Sequence, residues 1–343
     1  MVLKQNKKTL KFCTNIKILF INIIFLFLII HIIYIKYKNN FIKYNNFDTL
    51  KIKNTIKEND FENITFAIIR RTSTQICGLF SNYIVFLGCI NLYLTKGYLP
   101  IIDMQSSKNI FNEFNVIISN INPWEFFFDQ SYGQRLENVK RKAKRIKYFE
   151  CKSKFRPRVS IFYNKILQSF WHNLSKFYMP IKINILTEAR AIFKRLFNDS
   201  HNILGILMRG TDYITHKPKG HYIPPTPSMV IKDIKMMNLK NNYDWFFIST
   251  EDDMIRDRFI KEFGFKIKYL VLEKIKYNYK NKNFLAYNSN VKGLKYSKIY
   301  LINMIILSKC IDILSANTSG SIGVFILSEG FRYSKVYNLG KYK

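Results

Sequence analysis

The sequence predicts an α/β protein of two Rossmann-type domains that follow an N-terminal transmembrane helix. Three observations carry this expectation. An almost wholly apolar run, "ILFINIIFLFLIIHIIYI", extends from Ile18 to Ile35; a bilayer span needs about 17–25 residues. Between Ile64 and Met104 the pattern reads strand, glycine turn, helix, strand, which is a βαβ unit. From residue 199 onward short apolar runs alternate with helical periodicity, and such alternation gives a parallel, doubly wound sheet.

Residues 1–17 form a short N-terminal tail and 18–35 the anchor, interrupted only by Asn22 and His31. A cleaved signal peptide is the alternative. The run is long for one, and Lys36 and Lys38 stand where a cleavage site needs small residues. A short tail before a large C-terminal part fits a single-pass, type II orientation, of Golgi type if the cell is eukaryotic. Residues 36–62, rich in Asn and Lys, read as a stem. The N-terminal α/β domain spans 63–198. It opens with the strand "ITFAIIRR". Gly78 makes the turn, Leu79 to Thr95 the helix, and "YLPIIDM" a strand that ends in Asp103. Gly78 is a candidate because a glycine turn between strand and helix suits a phosphate or a sugar, although any βαβ unit needs one. The aromatic cluster around Trp124 is either a core hinge or a sugar-stacking platform. Lys140 to Arg158 is the densest basic stretch, read as a solvated face that is also suited to anionic lipid head groups. Two helical segments between Ser160 and Phe197 lead on to the second domain.

The C-terminal α/β domain spans 199–343. "NILGILMRG" is a strand, Ser228 opens a helix after three prolines, and "DWFFIST" is a strand closed by "EDD". A helix from Met254 stops at Gly264, and "KIKYLVLE" is a strand. A helix from Lys298 to Cys310 leads to the strand "IDILSA". "NTSGSIG" then opens a helix from Val324 to Ser328, and "KVYNLG" ends the domain. In such sheets ligands lie beyond the carboxyl ends of the strands. Arg209, Thr250-Glu251-Asp252 and Thr318-Ser319-Gly320-Ser321 all fall on that rim.

The formal net charge of +32, from 55 Lys and Arg against 23 Asp and Glu, invites a nucleic-acid reading. The lysines are spread along a chain equally rich in Asn, Ile, Phe and Tyr, as AT-biased codons produce, and no nucleic-acid-binding motif occurs. No nucleic-acid partner is therefore expected. An anionic substrate or an acidic membrane accounts for the charge as well. Five cysteines without a C-x-x-C pair argue against a disulfide framework or a zinc site. No His/Asp cluster has metal-ligand spacing, so no metal is expected.

The rim residues share one chemistry. Arg209 offers a planar fork of donors that grips a phosphate in a bidentate manner. Asp212 orients that fork or accepts from a sugar hydroxyl. The "TSGSIG" turn exposes backbone N–H groups at a helix start, where the dipole favours an anion. Together they make a diphosphate site that needs no metal.

"MRGTDY", "FFISTEDDMIRDRFIKEFG" and "LSKCIDILSANTSGSIGVFILSEG" together resemble the GT-B fucosyltransferase superfamily. Within it they resemble the α1,6-fucosyltransferases and the protein O-fucosyltransferase-like group. The resemblance covers roughly residues 200–330. It implies a GT-B-like fold, GDP-fucose as donor, inversion at the anomeric centre and no bound metal. By position, Arg209 would hold the β-phosphate, Asp212 would organise the loop or contact the donor, Glu251 and Asp252 would lie near guanine or ribose, and Thr318, Ser319 and Ser321 would bind diphosphate. The α1,6 enzymes carry a second arginine where this chain has Gly210 and a lysine where it has Tyr213. Their catalytic glutamate is absent, since "ITHKPKGH" contains no carboxylate.

The expected function is a membrane-anchored glycosyltransferase that moves fucose from GDP-fucose to a glycan or glycoconjugate. Its partners are the nucleotide-sugar donor, that acceptor, and the membrane through residues 18–35. The alternatives are another nucleotide sugar on the same fold, or an inactive glycan-binding relative, which the missing glutamate favours. The base is sought in His221, His216 or Asp212, because a neutral imidazole suits proton abstraction near pH 7. Lys217 or Lys219 would stabilise the departing diphosphate. Asp103 is the next candidate base.

Overall fold

The computed structural model describes residues 61–71, 77–106, 121–210, 212–270 and 293–343. The anchor at 18–35 and the stem up to residue 60 lie outside the described residues. Among the described residues no helix is long and apolar enough to cross a membrane.

The fold is mixed α/β and is built on two parallel sheets. In the first, β1 (Thr65–Arg70) lies between β2 (Leu99–Asp103) and β3 (Arg145–Glu150). Helix α1 (Leu79–Leu94) joins β1 to β2 and is apolar all round because it is enclosed on nearly every side. The basic stretch 140–158 contains structure that the sequence reading passed over: the end of α2 (Leu136–Lys142), then β3. Its charges hide a strand because only Ile146 and Phe149 turn inward, and Phe149 stacks on Tyr93 at 4.2 Å.

Helices α3 (Lys165–Tyr178) and α4 (Ile183–Phe197) follow. The second sheet then holds β4 (Ile203–Leu207), β5 (Trp245–Ser249), β6 (Ile267–Lys268), β7 (Asp312–Ala316) and β8 (Tyr333–Tyr337), all parallel, in the order β6-β5-β4-β7-β8. Of the expected strand "KIKYLVLE", only Ile267–Lys268 pairs, and residues beyond 270 lie outside the described residues. Helices α5 (Asp212–His216), α6 (Pro227–Asn241), α7 (Asp253–Phe263), α8 (Gly293–Ser308) and α9 (Ser319–Leu327) complete the domain. Two helix starts differ from expectation. Thr226 rather than Ser228 caps α6, since its hydroxyl accepts from Met229 N–H and Pro227 fits the first turn. Helix α9 begins at Ser319 rather than Val324, because Thr318 caps it and the glycines are tolerated within a buried helix.

The strand order has one reversal. The chain moves outward from β4 through β5 to β6, then returns to lay β7 on the other side of β4. The crevice beyond the carboxyl ends of β4 and β7 is thus the topological switch point, where such sheets take ligands.

One buried cluster runs from Ala67 and Ile69 of β1 through α1 and α3 to Leu301 of α8 and Val324 of α9. Trp124 belongs to it: fully buried, stacked on Phe128 at 4.3 Å and edge-on to Phe86, it is a core residue and no sugar platform. Helix α3 docks on α9 through Gln168 and His172, which bond the carbonyls of Phe325 and Ile326.

At the opposite, amino end of the second sheet, Asp312 is fully buried. It accepts from Arg332 Nε at 3.2 Å and Nη2 at 2.5 Å, from Tyr333 N–H at 2.8 Å and from the Tyr243 hydroxyl. Removing one partner of a buried ion pair leaves the other uncompensated. Arg332→Ala, which leaves the fully buried Asp312 carboxylate without its counter-charge, is therefore expected to lower stability by about 3–5 kcal/mol in urea unfolding. A loss under about 1 kcal/mol, the range of exposed pairs, would show that Asp312 is no hub.

Candidate functional site

The crevice at the switch point is built from three strand ends. After β4 the chain presents Met208-Arg209-Gly210. Arg209 Nε lies 3.4 Å from Glu251 Oε1, and Gly210 N–H donates to the same oxygen at 3.0 Å. Glu251 comes from the end of β5 and its side chain is almost buried, 7% exposed, whereas that of Arg209 is 28% exposed. The carboxylate thus lies beside the Nε edge of a guanidinium whose side chain is partly exposed. The guanidinium also lies over the Tyr213 ring at 4.8 Å.

Gly210 has no room for a side chain. A Cβ there would sit 2.5 Å from Asp252 Oδ2 and 2.6 Å from its Cβ. Asp252 is buried and caps α7, with Oδ1 accepting from Met254 N–H at 3.0 Å and Ile255 N–H at 3.2 Å. Thr250 Oγ1 in turn accepts from Asp252 N–H. Among these three residues, Thr250 and Asp252 shape the turn, and Glu251 reaches the arginine.

The third strand end, after β7, starts α9. Thr318 Oγ1 accepts from Ser321 N–H at 3.2 Å, and Ile322 N–H bonds the Thr318 carbonyl. Ser321, fully buried, donates its hydroxyl to the Ala316 carbonyl. The side chains of Thr318 and Ser321 therefore build the cap. The amides of Ser319 and Gly320 are the ones in the first turn that this cap does not use, and they are available to an anion.

Tyr300, which sequence reasoning missed, joins the parts. A Cβ on Gly320 would meet its hydroxyl oxygen at 2.5 Å, so the hydroxyl lies over the start of α9. Burial pushes the phenol up to about 12, with Glu251 and Tyr213 adding to the rise and Arg209 opposing it. Tyr300 thus keeps its proton at neutral pH and remains a donor. In the sequence it is one aromatic among many at helical spacing in α8, and the only signal is the Gly320/Gly323 pair that must leave space for something.

The loop after Asp212 forms α5, and Tyr213 projects from it. Tyr213 Oη is 3.0 Å from His221 Nδ1, and the two rings meet edge to face. Arg209, Tyr213 and His221 therefore form one contiguous row. His216 ends α5, while Lys217 and Lys219 are exposed on the Pro218 turn. This turn is fastened to the far end of the chain. Gly220 N–H donates to the Tyr342 carbonyl, Tyr342 N–H to the His221 carbonyl, and Ile223 N–H to the Gly340 carbonyl.

The two candidates in the first sheet differ. Gly78 opens α1 at φ −68°, an ordinary conformation, with open space where a Cβ would lie, so the glycine leaves the helix start bare rather than relieving strain. Asp103 is fully buried. It accepts from Arg70 Nε at 2.9 Å and from the N–H and hydroxyl of Ser106, an anchoring role that leaves it poorly placed as a base. Among the described residues no group of three or more His, Cys, Asp or Glu is arranged to hold a metal ion.

No family model matches the chain, and no curated protein matches it. Solved structures do resemble it. Fucosyltransferase NodZ from Bradyrhizobium is 13% identical, with 77% of this chain and 93% of that one covered at a TM-score of 0.44. NodZ α-1,6-fucosyltransferase co-crystallised with GDP is 14% identical, with the same coverage and a TM-score of 0.45. POFUT1 in complex with GDP-fucose is 8% identical, with 80% and 98% covered and a TM-score of 0.45. The site's own residues, rather than this likeness, carry the functional reading.

Arg209→Lys keeps the charge but loses the fork. If Arg209 grips a phosphate, the loss of charge-assisted bonds costs about 1.5–3 kcal/mol, roughly tenfold to 150-fold in Kd for GDP by calorimetry. Unchanged affinity would remove Arg209 from the phosphate site.

Proposed function

We propose that the chain is a membrane-anchored, inverting, metal-independent glycosyltransferase that transfers fucose from GDP-fucose to a glycan or glycoconjugate. One observation carries this reading: at the switch point between β4 and β7, an arginine fork, a helix start and a protonated tyrosine hydroxyl converge. All are donors, and a nucleoside diphosphate is a concentrated set of acceptors. The motif resemblance to GT-B fucosyltransferases supplies the sugar and the guanine. The apolar run at 18–35 supplies the anchor, with a type II orientation and, in a eukaryotic cell, a Golgi-type location.

The chemistry follows from the donors. The acceptor hydroxyl gives its proton to a base and its oxygen bonds to the anomeric carbon. The bond from that carbon to the diphosphate breaks, and the charge gathers on the β-phosphate. Arg209, the Ser319 and Gly320 amides and the Tyr300 hydroxyl stabilise that charge without a metal ion. His221 is the base. For this, its Nδ1–H must donate to Tyr213 Oη, so that Nε2 carries the accepting lone pair. Tyr213 then orients the base, as the third member of a catalytic set does.

A second reading, an inactive glycan-binding relative, is favoured by the absence of any carboxylate between Tyr213 and His221. A screen of the full chain in detergent against a panel of nucleotide sugars, with release of free nucleotide as readout, separates the two. GDP released from GDP-fucose supports the transferase, and binding of GDP without turnover on any acceptor supports the inactive relative.

Turnover should survive EDTA; complete loss, restored by manganese, would make the transferase metal-dependent. His221→Ala should cut kcat by about 10²–10⁴-fold and leave GDP affinity nearly intact. Tyr213→Phe, which keeps the ring beside Arg209, should lower kcat in the same direction. A His221→Ala enzyme at full rate would end the histidine's role.

A further inference from the structure

Residues 140–158 carry ten Lys and Arg against one acid, Glu150. Nine of these ten cations are exposed, only Lys140 being half-buried. They sit along one edge of the first sheet, on the end of α2, on β3 and on the short turn Ser153–Phe155. Edge strands commonly carry lysine to block strand pairing, which accounts for Arg145 and Lys147. It does not account for Lys152, Lys154 and Arg158, which lie past the strand's end. Among the described residues, three carboxylates face the group: Glu137 pairs with Lys140 at 3.3 Å, Glu62 pairs with Lys144, and Glu150 ends β3. A large excess of positive charge remains.

Glu62 makes the placement informative. It lies three residues before β1 and pairs with Lys144, so the basic face adjoins the start of the central strand of the first sheet. Residues 36–60 alone separate the N-terminal apolar run from the domain. If residues 18–35 anchor the chain, which is part of the function proposed here, the basic face meets the bilayer at high effective concentration. Tyr148, 52% exposed on the same strand with the Arg70 guanidinium 4.4 Å from its ring centre, adds an aromatic of the kind that settles at membrane interfaces.

We propose that this face lies against an anionic lipid surface, with Arg145, Lys147, Lys152 and Lys154 among the head groups. The test places the full chain in bilayer discs of phosphatidylcholine, with or without phosphatidylserine, and follows acetylation of single lysines by mass spectrometry. Lys147, Lys152 and Lys154 should react about fivefold more slowly in the anionic discs, the factor that corresponds to one basic side chain's attraction to such a leaflet. Lys240 and Lys261, on α6 and α7, should not change, and high salt should abolish the difference. Equal rates in both discs overturn the proposal. So does protection by added RNA or sulfated glycan without protection by phosphatidylserine, which would assign the face to a soluble polyanion. If the chain fails to stay with neutral discs, the anchor is wrong. The face is then judged by flotation with phosphatidylserine vesicles at low salt, where failure to float overturns it.

Discussion

The close approach of α9 to α1 sets the geometry on which the crevice depends. A Cβ on Gly323 would fall 2.0 Å from the Phe80 ring, so Phe80 fills volume that only glycine leaves open. Phe80 also meets Tyr300 edge-on at 5.6 Å. Helix α1 follows β1, and α9 follows β7. Their contact therefore couples the helices of the two sheets in one core. A larger residue at 323 would push the two helix starts apart, and with them Tyr300 and the start of α9. The interior is close-packed, so such a shift is transmitted rather than absorbed.

Within that frame the rim works because most of its polar groups already have assignments. Asp252 caps α7, Thr318 and Ser321 cap α9, and Glu251 pairs with the Nε edge of Arg209. Each assignment takes rotational freedom from a side chain before any ligand arrives. Under the proposed function, the groups that meet the anion are donors held by these contacts, which is what electrostatic stabilisation of a leaving group requires. Glu251 has a second effect. As a nearly buried carboxylate beside Arg209, it offsets that side chain's positive charge.

Much of this arrangement was legible in the sequence, and the rest was hidden for physical reasons. The apolar runs of β4, β5 and β7 are buried on both faces and read as strands without ambiguity. Arg209, Glu251 and the Thr318 turn followed from their positions at strand ends. The individual roles did not follow, because one-dimensional spacing cannot tell a capping hydroxyl from a ligand-binding one. Tyr300 was invisible because a helical aromatic reads as core until the glycine opposite it is located. β3 was missed because an exposed edge strand carries charge where a buried one carries Ile or Val. The anchoring of the loop "ITHKPKGH" was hidden, because its Pro-Gly turn is bonded to residues 340–342, a partner too distant in sequence to foresee.

The chain's large positive charge contributes little to the proposed phosphate site. Most lysines among the described residues are exposed, and charges separated by more than about 8 Å are largely screened at physiological salt. In the crevice itself, Arg209 is offset by Glu251, and the other donors are an uncharged hydroxyl and backbone amides. Selection there rests on the directions of those donors, held by a cap, a carboxylate and two glycines. The charge excess at 140–158 is of another kind, dense, exposed and without a groove, and suits a broad anionic surface rather than a small ligand. One composition thus gives two unlike electrostatic sites, and what separates them is whether the fold holds the cation in one geometry.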